Sequence, residues 1–407
     1  MSSNRRNLAI LFITLVVIML GFGMIIPLLS FIIKDFGASG RDLGLLMAVF
    51  GTMQFIFSPI WGNLSDRYGR KPILMIGVLG NVITQLLFGL STELWMLFAA
   101  RALSGVLSSA TLPTAMAYIG DSTSEEQRGG GMGMLGAAMG VGMVLGPGFG
   151  GWLAVDSLST PFFVAAGLSM VVLVFIALAL PESLPPSMRQ SQDSKSVGPQ
   201  FGQMWRALFS PIGFLLFLAF LVSFGLTNFE AIFGLYALER FDYGPQQVGT
   251  ILTVIGLIFA VVQGGLTGPL TKRWGEVLII KASLLGSVVG FLIMLSANSF
   301  PTVLLTVGLF VLSNAMIRPA VSSLTSRRAT IGQGAAMGLN NSFMSLGRIV
   351  GPIWAGFILD INLNLPYISG AIVMLLGFFA SILWLREEQP QPTDVERQLL
   401  KSPHPTE

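Results

Sequence analysis

The sequence predicts an all-α polytopic membrane protein of twelve transmembrane helices in two sets of six, and three observations carry that prediction. Of 407 residues, 53% are hydrophobic and only 11% are charged, less than half the ~25% of a soluble globular domain. Uncharged runs recur at lengths that match the ~20 apolar residues a helix needs to cross a bilayer. The second half of the chain repeats residues of the first at a nearly constant offset. Two counts exclude whole classes of chemistry. There is no cysteine, and the one histidine, His404, lies near the C-terminus. Disulfides, thiolate metal sites, cysteine nucleophiles and histidine-based catalysis are therefore out of reach.

The spans follow in order. Leu8 to Ile33, Leu43 to Ser65, Pro72 to Thr92, Leu94 to Gly120 (interrupted by Arg101), Gly129 to Val155 and Ser157 to Pro181 give the first six. Ala207 to Leu238, broken by Glu230, and Tyr243 to Thr271 give the seventh and eighth. The run from Ala282 to Ile317 is too long for one crossing, and Ala297-Asn298-Ser299-Phe300-Pro301 reads as a turn within it. Span ten is expected to continue through Arg318 to about Leu324. Gly334 to Leu359, crossing Arg348, and Leu363 to Leu385 complete twelve. The first span is too long for a signal-peptide apolar region, contains Pro27 and has no small-residue cleavage site after it.

Basic residues set the expected orientation, because cytoplasmic loops retain Lys and Arg. With the N-terminus inside, 17 of the 23 Lys and Arg fall on the cytoplasmic side. Only Lys34, Arg41 and Arg240 fall outside, and Arg101, Arg318 and Arg348 lie within spans. Both termini are expected in the cytoplasm, and the chain in the cytoplasmic (inner) membrane. The predicted units are an N-terminal bundle over 1–181, a Pro/Ser-rich cytoplasmic linker over 182–207, a C-terminal bundle over 208–386 and a cytoplasmic tail over 387–407.

The halves carry matching motifs. Gly62-Asn63-Leu64-Ser65-Asp66-Arg67-Tyr68-Gly69 after span two aligns with Gly268-Pro269-Leu270-Thr271-Lys272-Arg273-Trp274-Gly275 after span eight, at an offset of 206. Gly142, Gly146 and Pro147 in span five align with Gly347, Gly351 and Pro352 in span eleven, at an offset of 205. Transporters are commonly built from such repeats, with substrate bound near the midplane where they meet.

The loop Gly62-xxx-Asp66-Arg67-x-Gly69-Arg70-Lys71 resembles the signature of the major facilitator superfamily, and the resemblance covers the whole chain. Arg101-Ala102-Leu103-Ser104-Gly105 is similar to the superfamily's second motif. Gly142, Gly146, Pro147, Gly150 and Gly151 resemble its antiporter motif, although Gly-xxx-Gly by itself is also simple packing glue. Ala117-Tyr118-Ile119-Gly120-Asp121 and Gly21-Phe22-Gly23 are similar to tetracycline-efflux and related multidrug antiporters. The carboxylates that tetracycline-efflux proteins carry in spans one and three are replaced here by the neighbourhoods Val17-Ile18-Met19 and Ile83-Thr84-Gln85. The resemblance implies the major facilitator fold, two six-helix bundles related by a pseudo-two-fold axis, acting as a monomer. It also implies a conformational latch, with Asp66 at the N-terminus of span eleven near Gly334 and Arg70 paired with Asp121.

Charges inside the hydrocarbon are costly and mark functional groups or pairs. Glu230 is the one acid in the middle of a span. Burial disfavours an ionised carboxyl, so Glu230 is a candidate to bind and release a proton or to attract a cationic drug. A permanent pair with a buried arginine, Arg318 being the first choice, is the alternative. Arg101 is expected either to assist proton transfer or to pack with its guanidinium bonded to backbone carbonyls. Arg348, near the first third of its span, is expected to reach toward the cytoplasm. Gln54, Asn228, Glu230, Phe233, Tyr236, Gln263, Asn314, Arg318, Asn340 and Asn341 are the expected cavity residues.

The function expected from these features is proton-coupled export of small lipophilic or cationic compounds. A transporter of a metabolite, sugar or lipid-like molecule is the alternative. The partners are the substrate, protons and the bilayer, with no nucleic acid. No cofactor beyond the proton gradient is expected, and no Gly-x-x-x-x-Gly-Lys-[Ser/Thr] nucleotide loop occurs. An enzyme would need clustered ligands or a nucleophile with its base, and the spans hold neither.

Overall fold

A computed structural model of the chain describes residues 2–189, 201–329 and 331–385. Among these, every regular element is helical. The first half comprises α1 (Ser2–Asp35), α2 (Gly40–Tyr68), α3 (Arg70–Gly89), α4 (Leu94–Ser108), α5 (Thr111–Ser122), α6 (Glu125–Leu153) and α7 (Thr160–Ala179). After a short α8 (Phe201–Leu208) come α9 (Gly213–Phe241), α10 (Pro245–Val261), α11 (Thr267–Met294), α12 (Phe300–Arg328), α13 (Gln333–Leu359) and α14 (Leu365–Trp384). Lipid offers no hydrogen bonds to a backbone, so each crossing must satisfy its own amides and carbonyls as helix. Large apolar side chains such as Leu178, Leu305 and Leu383 point outward. The polar centre of the expected linker, including Lys195, and the expected tail lie outside the described residues.

Among the described residues, eleven continuous helical stretches are long and apolar enough to cross a membrane. The longest, Pro245–Met294, has 50 residues and is interrupted at Gly275, with φ 76 and ψ 157. Divided there it supplies two spans, which brings the total to twelve. Gly69 makes the same turn between α2 and α3, with φ 106 and ψ 160. That backbone region is essentially closed to residues with a Cβ. The two glycines aligned by the sequence repeat are thus conformational equivalents.

Some boundaries differ from expectation for local reasons. Span four is two helices, α4 and α5, because Pro113 has no amide to return to the Ser109 carbonyl. Span seven starts at Gly213 and not Ala207, since Ala207 belongs to α8, which ends at Leu208, and Pro211 interrupts the chain between. Span nine begins directly after Gly275, taking in Glu276 and Lys281. In span eight a π-helical turn, Val262–Leu266, joins α10 to α11.

Small residues hold the bundles together. Gly142, Gly146 and Gly150 lie four apart on α6, where an added Cβ would meet the carbonyls of Val16, Leu20 and Met24 on α1 at 2.7 to 2.8 Å. Gly347 and Gly351 on α13 face the Phe220 and Phe224 carbonyls of α9 in the same way. Close backbone approach of this kind is the physical use of small residues between membrane helices.

The halves meet along α2 with α13 and α6 with α10. A Cβ on Gly44 would strike the Pro352 carbonyl, and one on Gly356 the Gly40 carbonyl. A Cβ on Gly249 would strike the Pro147 carbonyl, and one on Gly151 the Pro245 carbonyl. Gly44 corresponds to Gly249 in the repeat and Pro352 to Pro147, so one contact is made twice with the halves exchanged. Both crossings lie at the end expected outside the cell. At the opposite end, a Cβ on Gly62, Gly133, Gly140, Gly264, Gly268 or Gly338 meets nothing within 4 Å. The halves therefore close at the expected external end and part at the expected cytoplasmic one.

Candidate functional site

Four charged side chains stand at the centre of the bundle. Glu230 on α9 is half-buried, and Gly234, one turn further along α9, packs on Pro27 and Ser30 of α1. Arg348 occupies the middle of α13, not its first third, and its carbonyl lies 3.8 Å from a Cβ built on Gly51 of α2. It is held at the boundary between the halves instead of reaching toward the end of the helix. Electrostatically, Arg348 is coupled to both Glu230 and Arg318. The arginine facing Glu230 is thus Arg348, whereas the sequence pointed first to Arg318. Neither arginine forms an ion pair with Glu230 among the described residues.

Arg101 is 1% exposed on α4. Gly105, one turn on, lets α4 approach α2, since a Cβ there would meet the Phe50 carbonyl at 2.8 Å. The guanidinium then lies 4.6 Å from the Phe50 ring centroid and 5.7 Å from that of Phe22. Its Nε and Nη1 find no hydrogen-bond partner. The expected alternative, a guanidinium tied down by backbone carbonyls, is not what holds it. Two aromatic faces do that work.

The residues expected to line a cavity divide sharply. Gln54 and Glu230 are half-buried, and Gln263, Arg318 and Asn341 are exposed. Asn228, Phe233, Tyr236, Asn314 and Asn340 are almost fully buried in the second half. Asn228 donates to the Pro366 carbonyl at 3.0 Å and Asn340 to Ser322 at 3.2 Å. Phe233 packs at a tilt on Phe229, and Tyr236 meets Tyr367 edge to face with centroids 4.5 Å apart. The sequence shows that α9 is rich in aromatic and polar groups, but the rotation of the helix spends these on packing and leaves Glu230 on the open side.

The signature loop is an ionic cluster. Arg70 bonds to Asp66 and, through Nε at 2.8 Å, to Asp121. Ser65 accepts a further bond from its Nη1 at 2.8 Å. Asp66 does not reach the first turn of α13: it is taken up by Arg70, and Gly334 has open space around it. The separation of the halves at this end accounts for the difference. Arg67 and Lys71 flank the cluster, and Lys71 donates to the Ala177 carbonyl at 2.8 Å. Glu182, which the sequence did not single out as a site residue, accepts from the amides of Arg70 (2.8 Å) and Lys71 (3.2 Å) and so caps α3.

The second half repeats this cluster with its charges inverted. Glu276 follows Gly275 as Arg70 follows Gly69, and it pairs with Arg327 at 3.0 Å. Arg327 is 206 residues beyond Asp121, the same offset that relates the glycines. Applying the 206-residue offset to Arg70 and Asp121 in the sequence would have found this pair.

The closed end has its own ties across the halves. Asp360 accepts from the amides of Gly40 (2.8 Å) and Arg41 (3.0 Å) at the start of α2, where a carboxylate also meets the positive end of the helix dipole. Lys34 and Glu239 pair at 2.8 Å between α1 and α9. The guanidinium of Arg41 sits 4.6 Å from the Phe357 ring centroid.

Twelve spans in two repeats, closed at one end and parted at the other, define a membrane transporter. Comparison with known proteins gives the family. The Major Facilitator Superfamily model matches residues 11–280 and again 215–402, and the chain belongs to that superfamily. It is 33% identical to Multidrug resistance protein 1 of Bacillus subtilis (strain 168), over 94% of this chain and 97% of that protein. With Quinolone resistance protein NorA of Staphylococcus aureus it shares 30% identity, over 92% and 95% of the two chains. Among solved structures, the nucleoside transporter NupG superposes with a TM-score of 0.78 at 15% identity, covering 95% of this chain and 100% of that one.

Proposed function

We propose that the protein exports lipophilic compounds across the cytoplasmic membrane in exchange for protons, as a monomer with both termini inside. Resemblance to drug-resistance proteins over nearly the whole chain supports export of drug-like molecules. One observation supports the coupling: Glu230, the sole carboxylate in the middle of a span, is half-buried and lies in the field of Arg348, whose backbone borders α2 of the other half. Protonation of Glu230 removes the negative charge opposite Arg348, so proton load and cavity charge change together. Arg101 supports the site from behind Phe22 and Phe50.

In this reading the halves rock about the centre. The crossed glycine contacts close the external end in one state, and in the other Asp66 reaches the N-terminus of α13 while Arg70 stays with Asp121. Energetically the exchange suffices. One proton driven by about 100 mV supplies roughly 2.3 kcal/mol, each pH unit adds about 1.4 kcal/mol, and a tenfold substrate gradient costs about 1.4 kcal/mol.

The test is transport by purified protein in vesicles under an imposed pH gradient, with several dyes and antibiotics. Wild type is expected to move lipophilic compounds against protons. Glu230→Gln is expected to bind them but lose gradient-driven movement. Undiminished coupling in Glu230→Gln would overturn the role given to this carboxylate, and no pH-driven movement in wild type would favour a metabolite carrier.

A further inference from the structure

The charges at the centre of the bundle do not balance. Three arginines, Arg101, Arg318 and Arg348, lie there with one carboxylate, Glu230. None of the three is in an ion pair among the described residues. Arg101 is 1% exposed and leaves two guanidinium nitrogens without partners. Arg318 and Arg348 are both exposed, Arg318 lies in the field of Arg348, and the Arg348 backbone borders α2 of the other half. Arg318 borders a small recess between α9, α12 and α13 that Ser322 and Asn340 also line. Uncompensated cations in a low-dielectric setting are costly unless a counter-charge arrives. Guanidinium groups also offer the planar, multiple donors that suit carboxylates and related oxyanions. A cation entering here would meet only Glu230 and would be repelled by two accessible arginines.

We propose that the central cavity takes lipophilic organic anions, with Arg318 and Arg348 holding the acidic group. The proposal names the substrate class of the export site and rests on that reading for direction only, since binding is tested without a gradient. The experiment is equilibrium dialysis of the purified full-length protein in non-ionic detergent, with protein-free micelles subtracted. Tetraphenylborate and tetraphenylphosphonium serve as probes, because they share an apolar body and differ in the sign of their charge. Wild type is expected to bind the borate at least tenfold more tightly. Arg318→Gln with Arg348→Gln should remove most of that preference, and Glu230→Gln should increase it. Equal or tighter binding of the phosphonium by wild type overturns the proposal whatever the variants do. An unchanged preference in a folded double-arginine variant overturns the assignment to these two residues. Failure of pH-driven export alongside a strong anion preference would count against the export reading while sustaining this one.

Discussion

Gly44 and Gly249 are among the residues through which the two halves touch at the closed end, and giving either a methyl group should open it. In Gly44→Ala the new Cβ falls on the Pro352 carbonyl, and in Gly249→Ala on the Pro147 carbonyl. Neither obstacle is the end of a flexible side chain, so the helices themselves must separate. Overpacking of this kind costs about 1 to 3 kcal/mol, which shifts a two-state equilibrium by about 5- to 150-fold. The methyl group is accommodated without cost once the helices part, so the penalty falls on the closed state alone. The chain contains no cysteine, so a single cysteine reports without background. Thr253→Cys suits the purpose, because the Thr253 hydroxyl lies 2.6 Å from a Cβ built on Gly148 across the α6 and α10 contact. Its reaction with a maleimide in detergent, where reagent reaches both ends, should quicken by that factor in either glycine variant. Gly62→Ala, whose Cβ meets nothing, should leave the rate unchanged. Labelling within twofold of the parent in both Gly44→Ala and Gly249→Ala would refute the claim that these crossings close the external end.

Two further outcomes follow from the ionic contacts. Arg70→Glu should lower the stability of the purified protein by about 2 kcal/mol, typical for charge-assisted hydrogen bonds, because it places a third acid beside Asp66 and Asp121. Adding Asp121→Arg and Asp66→Lys should restore the thermal midpoint, since Lys272, Glu276 and Arg327 already have that arrangement of charges in the second half; no recovery would break the proposed equivalence. Asp360→Asn weakens the bonds to the Gly40 and Arg41 amides, and a charge at a helix terminus is worth roughly 0.3 to 1 kcal/mol. The Thr253→Cys label should then react about two- to fivefold faster, and a slower reaction would contradict the tie.

Much of the architecture was legible because the bilayer imposes it. Lipid permits only helices of a certain length, so uncharged runs translate directly into spans, and the extended positive-φ turn of Gly69 and Gly275 is essentially closed to residues with a Cβ, so these two glycines stand out in the repeat. The helix-to-helix contacts of Gly142, Gly146 and Gly150 likewise follow from four-residue spacing on one face of α6. Residue roles were less legible. Asn228 and Tyr236 have the same polar and aromatic character as cavity residues, yet lie within about two turns of Glu230 on a face turned to α14, and Phe233 is buried against Phe229.

The sequence by itself determined the class, the number of crossings, the repeat and the short set of charges within the membrane, because burying a charge in hydrocarbon is rare enough to be counted. Only the tertiary structure decided which charges face each other and which end of the molecule is shut. Glu230 could pair with any of three arginines by composition, and helix rotation placed Arg348 opposite it. Asp66 could reach α13 or remain with Arg70, and that depends on how two rigid halves tilt, a freedom that the repeat in the chain leaves open in both directions.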